Sequence, residues 1–371
     1  MKKTIKKIED IVAKSLVIVT DFLTRNKKID YKKITFISYS SNVMSSDMKL
    51  ISNYLGKNGE FKMVFLIKKF DNTILNKMRY LFEFVLQTYH INTSRVVIID
   101  SNNFVVSNIK KKKETVVVQI WHACGAIKKF GFDYERRYSI NNYDYVITSS
   151  STSIDHFSKA FNIDKEMILP LGVAKTDRLF SRTRIEKYKR EMYNKFPEII
   201  NKKIVLYAPT FRGDGLFSKS YMDIDLDILA ERLGPEYIIM YKMHPISKYE
   251  KCEKNCNIIN VCNESLYKLF AISDMLVTDY SAIMYDYLIL EKPIYFFTPD
   301  LEEYIEERGI YWDYKNYVPG KVCYSDEELA KAIIFEEYSI EKIKKLKEDF
   351  FDYLDGKSTK RIGDFLLGFL K

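Results

Sequence analysis

The stretch Val116–Gly131, VVVQIWHACGAIKKFG, decides how the rest of the chain is read. Val116, Val117, Val118 and Ile120 form a β-branched apolar run, the composition of a buried strand. The run stops at Trp121–His122, followed at once by the small residues Ala123, Cys124 and Gly125, and then by Lys128 and Lys129. A parallel strand ending at a titratable side chain places it on the sheet edge where α/β proteins bind ligands. The same pattern also fits a buried strand end whose imidazole bonds a neighbouring carbonyl. The other strand ends bear on that choice.

Working outward, Ile34–Ser38, Met63–Ile67 and Arg95–Asp100 read as strands, with helical stretches at Met48–Leu55 and Lys77–Thr88 and a weaker element at Val105–Ile109. Tyr145–Thr148 runs into a serine cluster, and Met167–Leu169 closes the first set. Arg182–Phe196 is a charged helix stopped by Pro197, so the domain boundary is placed beside it, with domains at 31–180 and 181–371. A second alternation follows, with strands at Lys203–Ala208, Tyr237–Met243, Ile258–Val261, Met275–Thr278 and Pro293–Phe297. The tail is read as helical at Glu327–Phe335 and Ile340–Leu354. Strands separated by helix-length segments predict an α/β chain of two Rossmann-like domains, their parallel sheets facing an interdomain cleft. Residues 1–30 read as a basic amphipathic helix, suited either to an anionic membrane surface or to packing on its own domain.

A length of 371 residues supports two cores, and 47% hydrophobic content with 15% aromatics is globular. The net charge of +9 favours an anionic partner: a phosphorylated substrate, an acidic membrane surface or nucleic acid. No nucleic-acid reading motif is recognisable, so nucleic acid is not expected. Five cysteines, an odd number, read as reduced thiols of a cytosolic compartment. Cys252, Cys256 and Cys262 lie near His244 but do not repeat as CxxC pairs, and Asp223-x-Asp225-x-Asp227 reads as a helix entry or solvated edge; no metal is expected. With neither GxGxxG nor GxxxxGK[ST] present, no cofactor is expected either. No apolar run is long enough to span a bilayer and no signal peptide is recognisable, which places the protein on the cytoplasmic side.

In the second half, polar residues punctuate the strand ends: Thr210 and Arg212 after one, Lys242 and His244 after another, Thr278, Asp279 and Ser281 after a third. Carboxyl ends of parallel strands converge, so a lysine, an arginine, a histidine and hydroxyls there suit a diphosphate. Asp279 and Ser281 also fit a capping role for the helix that follows.

The stretches QIWHACGAIKKFG (119–131), YDYVITSS (143–150), VLYAPTFRG (205–213), YKMHP (241–245), VTDYSAIMYDYLILEKPIYFFTPDLEEY (277–304) and RGIYWDY (308–314) resemble the CDP-glycerol glycerophosphotransferase family of teichoic-acid-type polyol-phosphate transferases. The resemblance implies a GT-B-like architecture and transfer of glycerol phosphate from CDP-glycerol to a hydroxyl of a lipid-linked saccharide or polyol-phosphate acceptor, releasing CMP. It also implies peripheral attachment to the cytoplasmic face of a bacterial membrane. Carried over by position, Trp121, His122, Ala123, Cys124 and Gly125 line the donor site from one side. Pro209, Thr210, Lys242, His244, Ser281 and Asp286 contact the donor from the other, with Met243 and Ala282 in the same stretches. Lys175 stands where the family's GxPRxD carries an arginine on phosphate, keeping the charge but losing the bidentate fork. His-Ala-Cys replaces the common His-Gly-Thr, and Ser281–Ala282 replaces two serines.

The chemistry agrees with the residues. Attack at phosphorus needs a base for the hydroxyl and positive charge on the diphosphate. His122 is assigned as the base, and His244, beside Lys242, as a ligand of the leaving phosphate. Cationic side chains in place of a metal make the expected reaction metal-independent. Two alternatives stay open: CDP-ribitol as donor, and a GT-B nucleotide-sugar glycosyltransferase.

Overall fold

The computed structural model describes residues 2–39, 41–69, 74–134, 139–210, 224–243 and 255–370. The chain forms two compact units. The first comprises Met1–His122, Phe130–Asp177 and Lys357–Lys371, and the second Ala123–Lys129 and Arg178–Gly356. The sequence reading carried the second domain through to residue 371 and left 123–129 in the first. Both short segments instead make their contacts with the other unit.

In the first unit, β1 (Asp30–Ser38), β2 (Lys62–Ile67), β3 (Ser94–Ile99), β4 (Val116–Gln119), β5 (Tyr145–Ile147) and β6 (Ile168–Leu169) form a parallel sheet in the order β2-β1-β3-β4-β5-β6. Ile37 pairs with Ile99, Ile99 with Gln119, and Gln119 with Val146, so Ser38, Asp100, Ile120–His122 and Thr148 share one carboxyl edge. Val117, Val118, Val96 and Ile98 are fully buried. Each such side chain contributes about 1.5–3 kcal/mol on leaving water, which is why the run with β-branched chains on both faces becomes a central strand. One face is covered by α2 (Ser46–Lys57), which presents Met48, Ile51 and Leu55, and by the helix Ser358–Leu367, which presents Ile362 and Leu366. Ser45 caps α2, its hydroxyl accepting from Met48 N at 3.4 Å.

The N-terminal helix, α1 (Lys2–Thr24), packs on α3 (Ile74–Thr93) through Ala13, Val17, Thr20, Asp21 and Thr24. Asn92 of α3 donates to Asp21 Oδ1 and Thr24 Oγ1, both at 2.9 Å. The helix therefore packs one stripe on its own unit, while Ile11, Val12, Ile18, Val19, Phe22 and Leu23 remain exposed. No helix among the described residues is long and apolar enough to cross a membrane. Val105–Ile109 contributes a short helix, Phe104–Asn108, because Asn103 caps it: its side chain accepts from Val106 N at 2.8 Å.

The second unit repeats the architecture with β7 (Lys203–Tyr207), β8 (Tyr237–Tyr241), β9 (Ile258–Asn260), β10 (Met275–Thr278), β11 (Ile294–Phe297) and β12 (Val322–Cys323), ordered β12-β11-β10-β7-β8-β9. Neighbouring strands of this sheet pair in parallel. β12 has two residues and no periodicity, so the sequence gives no sign of it. Tyr207 pairs with both Val277 and Tyr241, which lines up Ala208–Thr210, Lys242–Met243 and Asp279–Ser281 along one edge. Asp225 caps the helix Leu226–Leu233, accepting from Asp227 N at 3.1 Å and Ile228 N at 3.2 Å, so this end of the alternating aspartates is a helix entry. Asp223 lies outside the described residues.

Candidate active site

On the first unit the site is built around the end of β4. Trp121 has φ 38°, in the left-handed region that a bulky side chain rarely occupies. Its amide donates to Gln119 Oε1 at 3.0 Å. Its indole stacks on Phe130 at 4.9 Å and meets Phe161 edge-on at 5.3 Å. The turn leaves His122 exposed, with Nδ1 3.3 Å from the carbonyl oxygen of Asp100. The sequence allowed either a functional histidine or one bonded to a carbonyl, and the two prove compatible: an Nδ1–H donated to a carbonyl leaves Nε2 as the basic nitrogen.

Lys175 reaches the same turn. Its Nζ donates to the His122 carbonyl at 2.8 Å, and its backbone N–H donates to Asp47 Oδ1 at 2.7 Å. The side chain expected on phosphate here braces the peptide of His122. Asp177, the last residue of the same stretch, accepts from Ser358 N and Thr359 N at 2.9 and 2.8 Å. Asp100, which sequence reasoning passed over, is buried under the turn. Burial pushes its carboxyl above the ordinary range, against the opposing hydroxyls of Ser38, Ser45 and Ser101. Its position, one residue past a strand and before Ser101, was the available signal.

On the second unit, Ala123–Lys129 forms part of the wall of the β7–β10 edge. Cys124 Sγ donates to Asp286 Oδ1 at 2.9 Å, and Tyr267 OH to Asp286 Oδ2 at 2.8 Å. Asp286, expected on the donor, is buried and bonded within the unit. Gly125 faces the rings of Tyr285 and Phe350, both buried. Ala126 O accepts from Trp312 Nε1 at 2.8 Å, Tyr311 N donates to Ile127 O at 2.9 Å, and Lys129 N to Gly309 O at 3.0 Å. Tyr280 and Tyr285 are fully buried, and Trp312 stacks on Tyr317 at 4.7 Å.

Two of the strand-end residues are joined directly. Asp279 accepts from Thr210 N through both oxygens, at 2.8 and 3.0 Å, tying the end of β10 to the end of β7. Lys128 Nζ lies 3.4 Å from Thr210 Oγ1 and over the ring of Tyr304, which adds a cation to this group from a residue the sequence left unassigned. Pro209, which precedes Thr210, and Met243, which follows Lys242, are buried, while Ser281 and Ala282 are partly exposed at the start of the helix Ile283–Leu288. Lys242 is turned elsewhere: Nζ donates to the carbonyls of Cys262 and Glu264 at 2.8 and 2.7 Å. Burial holds its pKa below the ordinary value, with Cys262 and Glu264 opposing. Arg212 and His244 lie outside the described residues.

With this geometry in hand, comparison with known proteins is informative. The family profile described as CDP-Glycerol:Poly(glycerophosphate) glycerophosphotransferase matches residues 17–368. The chain is 33% identical over 359 residues to the teichoic acid ribitol-phosphate primase of Bacillus spizizenii, covering 92% of each chain. It is 32% identical over 297 residues to the teichoic acid glycerol-phosphate primase of Bacillus subtilis, covering 75% of this chain and 74% of that one. Among solved structures, the wall teichoic acid polymerase TagF, in a histidine-to-asparagine variant soaked with CDPG, superposes with a TM-score of 0.77 at 26% identity. That match covers 100% of this chain and 97% of the other.

Proposed function

The chain belongs to the CDP-glycerol:poly(glycerophosphate) glycerophosphotransferase family, a GT-B-like transferase of teichoic acid biosynthesis, and we propose that it moves a polyol phosphate from a CDP-polyol to a hydroxyl of a lipid-linked acceptor. The observation that carries this reading is His122, exposed at a strand end with Nδ1 engaged by the Asp100 carbonyl. Nε2 takes the acceptor hydroxyl's proton as that oxygen bonds to the phosphorus bearing the polyol. The bond from this phosphorus to the bridging oxygen breaks, and the electron pair leaves with CMP. On the second unit, Thr210, Ser281 and Lys128 hold the diphosphate, joined by Arg212 and His244. Their positive charge replaces a metal ion, so turnover is expected to persist in EDTA. Asp279 acts behind them by fixing the backbone of Thr210, while Lys242 anchors the carbonyls of Cys262 and Glu264 and Asp286 the side chains of Cys124 and Tyr267.

Glycerol phosphate is the first donor to test. Ribitol phosphate is the second reading, favoured by the similarity to a ribitol-phosphate primase over 92% of both chains. The acceptor places the reaction at a membrane surface, and the exposed apolar stripe of α1 with its neighbouring lysines supports peripheral attachment there. The test is incubation with a lipid-linked acceptor and CDP-glycerol, CDP-ribitol, or UDP- and GDP-sugars in turn. CMP release from one CDP-polyol is expected. Release of UDP or GDP from the sugars, with no CMP from either polyol donor, would make the protein a glycosyltransferase instead.

A further inference from the structure

We infer that Gln119 is a positioning residue for His122, acting through the strained turn at Trp121; this rests on the transferase reading for its kinetic consequence but not for its structure. Gln119 is the last residue of β4 and is fully buried. Its Oε1 accepts from Trp121 N at 3.0 Å, while its Nε2 is buried without a hydrogen-bond partner. The nearest strand offers little help. Gln119 pairs with Val146, two residues before Thr148, whose Oγ1 is likewise buried without a partner. An amide with an unsatisfied N–H₂ destabilises a core relative to an apolar side chain of the same shape. What it supplies in return is one acceptor for one backbone N–H.

That N–H belongs to the residue held at φ 38°. Left-handed backbone at a large aromatic residue persists only where its surroundings over-determine it, and such residues gather at functional sites. Two restraints hold Trp121: the Gln119 carbonyl on its amide, and Phe130, Phe157 and Phe161 on its indole. The next residue is His122, whose side chain is tied to Asp100 O and whose carbonyl is tied to Lys175 Nζ. Release of the Trp121 amide therefore re-aims the imidazole without removing any group that touches substrate.

The test separates position from stability. Gln119→Leu removes both the acceptor and the orphaned N–H₂. It is expected to leave Tm unchanged or raised while kcat falls roughly 10²-fold and the donor KM stays put, since a displacement of about 1 Å has this effect on a reacting group. Gln119→Met is the alternative if the leucine variant fails to fold. Gln119→Glu keeps an acceptor oxygen in a buried, protonated carboxyl and is expected to restore most of kcat. A leucine or methionine variant with kcat within twofold of the parent overturns the inference, as does a loss of activity that merely tracks a fall in Tm. ¹⁵N-histidine NMR, with His122→Asn assigning the resonance, gives a readout that needs no turnover. The parent should show His122 in one tautomer, protonated at Nδ1, and the leucine variant an averaged pair. An unchanged His122 spectrum in the leucine variant refutes the positioning role even if no CDP-polyol releases CMP, and that absence of CMP on its own refutes only the transferase reading.

Discussion

Gly125→Ala tests why small residues follow His122. A Cβ at this position would lie 2.7 and 2.8 Å from two ring carbons of Tyr285 and 2.9 Å from Cδ1 of Phe350, where ordinary contact begins at 3.4 Å. The rings must give way by 0.5–0.7 Å (3.4 less 2.9, and 3.4 less 2.7). Neither has room. Tyr285 is fully buried and bonded through its hydroxyl to Tyr317 OH at 2.8 Å, and the Tyr285 and Phe350 rings already sit 4.6 Å apart. Overpacking of this kind costs about 1–3 kcal/mol, and a clash with two pinned rings belongs at the upper end. For a unit of this size that is a fall of roughly 4–10 °C in Tm, read by calorimetry, and Phe350→Leu should recover part of it in a double-mutant cycle. The family resemblance implied a different reason for the glycine, a place in the lining of the donor site. On that reasoning the alanine variant would keep its Tm and raise the donor KM. An unchanged Tm would refute the packing argument.

His122→Ala should lower turnover by about 10²–10⁴-fold with Tm unaltered, because the ring is exposed; near-parental rates would remove it from the mechanism. His90 is held neutral, its pKa lowered to about 4 by burial first and by Lys33 and Lys62 second. The unfolded chain binds a proton near 6.5 that the folded chain refuses, so this contribution to stability is present above about pH 6.5 and is lost as pH falls toward 4. Allowing for partial solvent screening, roughly 2 kcal/mol should disappear across that window, and His90→Gln should flatten the denaturant midpoint against pH there. Phe22→Ser with Leu23→Ser should weaken pelleting with anionic vesicles without lowering Tm, since both side chains are exposed; undiminished pelleting would place any membrane contact elsewhere.

Much of this was legible beforehand because strand burial and strand ends leave local marks. Runs such as Val116–Val118 and Met275–Thr278 can only be interior strands, and the polar residues after them fall on the carboxyl edges. The Asp225 cap was equally local. Direction was not legible. Lys242 and Asp286 sit at the expected places, yet one points at backbone carbonyls and the other at Cys124 and Tyr267, choices set by tertiary neighbours far away in sequence. The change of unit between His122 and Ala123 had no signal either, since it reflects which surface each residue touches and not any break in composition. The φ of Trp121 is invisible for the same reason: nothing but its surroundings asks a tryptophan to adopt it.

The helix Ser358–Leu367 has a consequence for how this protein is made. It supplies Ile362 and Leu366 to the core of the first unit, and its opening turn is bonded to Asp177, 181 residues earlier. A chain emerging from the ribosome will have completed all six strands of that sheet long before the helix that seals α2 exists. Until then Met48, Ile51 and Leu55 lack part of their cover, and the nascent protein must travel through the synthesis of an entire second unit with that seam open. Chaperone dependence should therefore track the codons for residues 357–371, and a gene cut at the apparent boundary near residue 180 should yield an aggregating fragment and not a domain.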